Sequence, residues 1–187
     1  MSPMVNAVRI IGGDLKGRVL RFPDLLGLRP TPDRVRETLF NWLGQRLDHS
    51  VCLDLFSGSG ALSFEAVSRG ATNVDAVDLS QKACASIRDN CQKIGILNLS
   101  VTCSDALDFL RHKQREFDVV FLDPPFAQQH LIEDVLSVLP NHLANGCKIY
   151  IETALPIMNP VGFNVIKGAK AGRVHFALWE YRNQDEK

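Results

Sequence analysis

The sequence predicts an α/β protein, a mostly parallel sheet with helices on both faces that finishes in an antiparallel hairpin. Three observations carry this. Short apolar runs at 51–55 (VCLDL), 73–77 (NVDAV), 98–102 (NLSVT), 117–122 (FDVVFL) and 147–151 (CKIYI) have the length and composition of strands. Amphipathic helical patterns lie between them, and that alternation implies parallel strands covered on both faces. After the fifth run the pattern changes. Residues 162–168 (GFNVIKG) and 173–181 (RVHFALWEY) follow each other with only a Gly-containing turn between them, which makes a terminal hairpin.

Residues 5–22 read as two short strands around Gly12-Gly13 and Gly17, a basic hairpin, and residues 23–30 as a connector. At 31–47, Thr31 is placed to cap a helix and Pro32 suits its first position. Val35, Leu39, Trp42, Leu43 and Leu47 then share one face, and Arg34 and Arg36 read as helix-surface residues. Further helices are expected at 61–69, 80–94, 105–113 and 128–139. Ser80 caps the one at 80–94, whose buried stripe is Ala83, Ile87, Cys91 and Ile94. Tyr150, Trp179 and Tyr181 fall in strand runs and read as packing residues. No linker is visible, so residues 1–30 are a basic extension on one compact domain, 31–187.

A chain of 187 residues with 45% hydrophobic and 22% charged content is an ordinary globular domain. It has no apolar stretch of membrane-spanning length and no signal-peptide pattern, so a soluble, cytoplasmic monomer is expected. Five scattered cysteines without a CxxC read as reduced thiols, and five unpaired histidines give no metal site. Zero net charge excludes a histone-like polyanion binder. The charge is uneven, however: residues 1–36 carry +4 and the rest −4. A basic end on an acidic body is an electrostatic footprint.

The chemistry lies at the strand ends. In LDLFSGSGALSFEA (53–66) a strand ends near Asp54 and a turn with Gly58 and Gly60 leads into a helix. Such glycines let a ligand approach the backbone, and the helix start offers free N–H groups. Ser63 stands where a dinucleotide fingerprint needs its third glycine. Asp78 ends the second strand, where a carboxylate can accept ribose hydroxyls; it also precedes a helix it could cap. Asp105 follows the third strand and could face an adenine amine or cap its own helix. With Asp123 after the fourth, these acids outline one cleft at the carboxyl edge of a parallel sheet.

Asp123-Pro124-Pro125-Phe126 suits a particular task. An exocyclic amine on a nucleobase is a poor nucleophile because its lone pair is delocalised. A carboxylate and a proline-fixed carbonyl accepting its two N–H bonds would aim that pair outward. An aromatic face would stack an extruded base. The electrophile would be a methyl sulfonium, which needs in-line approach and no metal.

The pieces RIIGG at 9–13, GLRPTPDRVRETLFNWL at 27–43, LDLFSGSGAL at 53–62, SRGA at 68–71 and FDVVFLDPPF at 117–126 resemble the bacterial RsmD-type 16S ribosomal RNA (guanine-N2) methyltransferases. The resemblance covers essentially the whole chain. It implies a Rossmann-like, seven-stranded S-adenosylmethionine-dependent methyltransferase sheet, S-adenosylhomocysteine as product, and guanine 966 of the small-subunit RNA, free or in a particle, as target. It implies that Asp54, Phe56, Ser57, Gly58 and Gly60 lie along the cofactor's methionine part. Asp78 would then take the ribose and Asp105 the adenine side, with Leu79 and Ala106 also against the cofactor. Asp123 to Phe126 would hold the target amine and base. Segment 9–18 and the 29–36 block would face RNA and the mouth of the site, with Arg9, Lys16, Arg18 and Arg29 on phosphates.

Rival readings share some of these residues. Adenine-N6 DNA methyltransferases and protein glutamine-N5 methyltransferases also use an acid or amide before Pro-Pro-aromatic. A nicotinamide oxidoreductase would use the glycine turn and Asp78 but leave Asp123 to Phe126 idle. A non-enzymatic RNA-binding module would leave the strand-end acids unexplained.

Overall fold

The computed structural model describes residues 5–23, 31–154, 159–172 and 174–183. Strands β1 (Val5–Arg9) and β2 (Val19–Pro23) pair antiparallel as a separate two-stranded sheet. The main sheet has β3 (Val51–Asp54), β4 (Asn73–Asp78), β5 (Leu99–Cys103), β6 (Phe117–Leu122), β7 (Leu143–Thr153), β8 (Phe163–Ala171) and β9 (Val174–Tyr181). Their order is β5-β4-β3-β6-β7-β9-β8, parallel from β5 through β7 and antiparallel at β9 and β8. Helices α1 (Asp33–Trp42), α2 (Ala61–Ser68), α3 (Gln81–Ile94), α4 (Ala106–His112) and α5 (Leu131–Val138) complete it.

Strand alternation divides the core. Cys52, Val74, Ala76, Val119, Phe121 and Tyr150 face one cluster with α1, α2, α3 and the β1–β2 hairpin; Leu53, Val77, Val120, Leu122, Ile149 and Ile151 face the other with α4 and α5. The hairpin is part of the first layer. Val8, Ile10, Leu20 and Phe22 are buried in it, and the Asn90 side chain on α3 exchanges hydrogen bonds with the backbone of Arg21.

Helix α1 departs from expectation in three ways. It stops at Trp42 rather than at residue 47, because Gly44 and Gln45 turn left-handed (φ +90° and +71°). Thr31 is not its cap: Pro32 holds that position without a side-chain bond. Arg36 is not on the surface but fully buried. Its guanidinium meets the carbonyls of Thr31 (3.2 Å) and Arg9 (3.0 Å) and the carboxylates of Glu65 (3.2 Å) and Asp33 (2.5 Å). The expected helix at 128–139 divides into a 3-10 turn at Phe126–Gln128 and then α5. β7 runs past residue 151 because β9 continues to pair with it at Glu152 and Thr153. Four of the five cysteines are buried; Cys103 is exposed.

Candidate active site

The chain runs from β3 outward to β4 and β5, then returns to lay β6 and β7 on the other side of β3. The crevice at such a reversal, outside the carboxyl ends of the strands, is where ligands bind in open α/β sheets. The glycine turn after β3 and the Asp123-Pro124-Pro125 corner after β6 are therefore neighbours. Asp54 is in register with Phe121, two residues before Asp123. Because side chains alternate, Asp54, Asp123 and Glu152 follow Cys52, Phe121 and Tyr150 onto the same face.

The glycine turn is pinned from β4. Ser57 donates through N–H and Oγ to Val77 O (2.8 and 2.9 Å), and Gly58 N–H donates to Asp78 Oδ2 (2.7 Å). Asp78 Oδ1 accepts from Ser80 N–H at 2.8 Å. Each Asp78 oxygen thus holds a backbone donor and keeps capacity for another. Beside it Leu79 is 62% exposed, an apolar surface facing water at the strand end. Gly60 occupies the α2 N-cap in left-handed backbone (φ +79°) with no side-chain cap of its own, and the first N–H of that helix, on Ala61, reaches Ser59 Oγ at 3.4 Å. Phe56 is half-buried.

Asp54 lies beneath this turn, 1% exposed. Ser63 Oγ donates to its Oδ2 at 2.5 Å, so the residue that breaks the dinucleotide fingerprint instead holds this acid. Oδ1 is buried without a well-directed hydrogen bond, although the backbone N–H groups of Phe56 and Ser63 lean toward the carboxylate. Burial raises Asp54 to about 7, with Ser63 opposing and Asp78 adding repulsion. An orphaned acceptor at the foot of a glycine turn fits a cationic amine supplied from outside the chain.

Asp105 is a cap. Its Oδ1 accepts from Leu107 and Asp108 N–H at 2.9 and 3.2 Å, and the Ala106 side chain is buried under the sheet. Neither presents a side chain as directly as Asp78.

At the β6 corner, Thr31 Oγ1 donates to Asp123 Oδ2 at 2.8 Å. Asp123 rises to about 8, first through burial, then through repulsion by Glu152, against the Thr31 bond; Asp54 adds to it. Gln129 Nε2 donates to the carbonyls of Pro124 (3.3 Å) and Glu152 (3.4 Å), and Gln129 Oε1 accepts from Ala154 N–H (2.9 Å). The corner is thereby fastened to β7. Among the described residues, Asp54, Asp78, Asp123 and Glu152 form a line of mutually repelling acids, an arrangement typical of functional sites.

Glu152 and Gln129 were not among the expected site residues, and Thr31 was expected only within the 29–36 block at the mouth of the site. The rule of one acid per strand end, extended one residue past IYI, would have found Glu152. Thr31 carries no local signal. Arg9, Lys16 and Arg18 are exposed, and among the described residues none forms an ion pair. Arg29 lies outside the described residues, as does the side chain of Phe126. The groove lined by Leu110, Arg111, Lys113, Arg115 and His142 is at the amino edge of the strands, and its Lys113 and Arg115 pair with Asp75.

Residues 8–180 match the family model described as Conserved hypothetical protein 95. A ribosomal RNA small subunit methyltransferase D from Escherichia coli (strain K12) is 38% identical over 185 residues, 96% of this chain and 92% of its own. The protein of that name from Haemophilus influenzae is 41% identical over 181 residues, covering 92% and 93%. A solved structure from Escherichia coli superposes with a TM-score of 0.87 at 36% identity, over 96% of this chain and all of its own. With its glycine turn and proline corner meeting where the sheet reverses direction, the chain belongs to the family of the ribosomal RNA small subunit methyltransferase D enzymes.

Proposed function

We propose that this protein methylates the exocyclic N2 of a guanine in 16S small-subunit ribosomal RNA, guanine 966 by the family resemblance, using S-adenosylmethionine. One observation carries the chemistry: a carboxylate and a proline-fixed carbonyl stand together beside the glycine turn. When bound, S-adenosylmethionine supplies a sulfonium methyl and keeps the electron pair of the broken C–S bond, leaving as S-adenosylhomocysteine.

The chain's own residues do the rest. Asp54, Phe56, Ser57, Gly58 and Gly60 suit the methionine part, with the orphaned Asp54 Oδ1 toward its ammonium. Asp78 and Leu79 suit the ribose and the adenine face, with Asp105 at the adenine edge. Asp123 Oδ1 and Pro124 O accept the two N–H bonds of the target amine, so that its lone pair points at the methyl carbon. The nitrogen that gains a methyl sheds one proton, and Asp123 is the base within reach. Arg9, Lys16, Arg18 and Arg29 hold phosphates in a salt-dependent grip.

The test is transfer of labelled methyl to separated small-subunit RNA, large-subunit RNA, DNA and protein. Label is expected in small-subunit RNA, recovered as N2-methylguanine at one position. Label confined to DNA or protein would overturn the reading.

A further inference from the structure

We propose that Glu152 reads the ring N1–H of the target base and so selects guanine against purines that lack that proton. The proposal rests on the methyltransferase reading above and goes beyond it by naming the residue that sets base identity.

The geometry begins with register. Leu122 of β6 pairs with Ile151 of β7, so Asp123 and Glu152 are the next residues along two neighbouring parallel strands. The two acids are near enough to repel. Gln129 grips the Pro124 carbonyl and the Glu152 carbonyl with one amide, which makes the two strand ends a single unit. Tyr150 O–H donates to Glu152 Oε2 at 2.7 Å, and Tyr150 is itself fully buried. That bond fixes the carboxylate and favours its charged form, against the burial that raises its pKa.

The oxygens can then be counted. Thr31 occupies Asp123 Oδ2 and Tyr150 occupies Glu152 Oε2. What remains along the corner is Asp123 Oδ1, the second lone pair of Pro124 O, and Glu152 Oε1, to which no hydrogen bond is made among the described residues. With Asp123 and Glu152 both ionised, the site therefore offers three acceptors and no donor. Guanine presents three donors on one edge, the two N2–H bonds and N1–H. Adenine presents two donors at its amine and a lone pair at N1, which would face a carboxylate oxygen. A pocket built to hydrogen-bond an N–H rejects an analogue lacking it far more strongly than a pocket that only fits shape.

The experiment replaces the target guanine in a small-subunit RNA fragment with 2-aminopurine, which keeps the 2-amino group but has a bare N1. The wild-type protein is expected to prefer guanine by about 100-fold or more in kcat/KM. In Glu152→Gln, Tyr150 still donates to the side-chain oxygen and an amide N–H turns toward N1. The preference is then expected to fall at least tenfold. Glu152→Ala should lower guanine turnover and leave 2-aminopurine turnover near its wild-type value. A readout independent of turnover is 2-aminopurine fluorescence without cofactor, which should rise more on binding Glu152→Gln than on binding wild type. A guanine preference unchanged in both variants overturns the role of Glu152 while leaving the methyltransferase reading intact. Wild-type protein that modifies neither RNA overturns that reading and this one with it.

Discussion

Thr31 Oγ1 donates to Asp123 Oδ2 at 2.8 Å, joining residues 92 apart in the sequence. Thr31 stands just before α1, and its own carbonyl is held by the buried Arg36. The hydroxyl is thus anchored before it reaches the acid. It occupies one oxygen of the acid, and as a donor it offsets part of the burial that keeps Asp123 protonated.

Thr31→Val keeps the shape and removes the donor. Turnover is expected to fall roughly 10- to 100-fold, the scale of a misaligned reacting group, with cofactor affinity unchanged by calorimetry. The acid limb of kcat/KM, already displaced upward by an Asp123 pKa near 8, should move to still higher pH. Thr31→Ser should restore both. A Val variant with wild-type turnover and pH profile would reject this positioning role.

Asp123 also loads the fold with a pH-dependent cost. Its native pKa of about 8 lies above the unfolded value of about 3.9. Between those values the native state binds the proton that the unfolded chain has lost, so stability falls as pH rises through the window. Asp54, raised to about 7, acts with the same sign. Asp123→Asn should match wild type near pH 4 and exceed it at pH 8.5 by roughly 1–3 kcal/mol, read from urea unfolding. Equal stability at both pH values would show that the burial of this carboxylate is harmless.

Much of this was legible because period-2 apolar runs and turn glycines report local geometry. The strands from β3 to β6, the Ser80 cap and the Asp54, Asp78 and Asp123 series follow from such patterns. What failed was decided by distant partners. Arg36 has the spacing of a surface residue, and its burial rests on partners that include Glu65, 29 residues on, and the Arg9 carbonyl, 27 residues back. Thr31 satisfies the local grammar of a cap, yet Asp123 claims it. Asp105 shows the reverse, an acid whose local capping role is the one the fold uses. Glu152 was missed because the strand was ended at residue 151, two residues early.

Asp78 links the glycine turn to the cofactor proposal. Asp78→Ala removes the acceptor for Gly58 and Ser80 N–H, two charge-assisted bonds. A stability loss of about 1–3 kcal/mol is expected. If the same carboxylate meets ribose hydroxyls, S-adenosylmethionine affinity should fall more than tenfold, measured by calorimetry below the melting range. Lowered stability with unchanged affinity would leave Asp78 as a brace for the turn alone.

Arg36 ties the amino-terminal hairpin, through Thr31, to Asp123. Its Nη2 holds the Arg9 carbonyl at the end of β1, its Nε holds the Thr31 carbonyl, and its Nη1 meets Glu65. Glu65 in turn accepts from Ile11 N–H and from Arg69. Removing one member of a buried charge network strands its partners, so Arg36→Met should cost about 3–5 kcal/mol. Arg36→Lys should recover little, because one ammonium cannot reproduce a planar fork with contacts on three nitrogens. Arg36→Met combined with Glu65→Gln should be less damaging than the sum of the singles, since the charge left unpaired in one is absent in the other. Urea unfolding of the four proteins measures this, and strict additivity would mean that the two side chains touch without depending on each other.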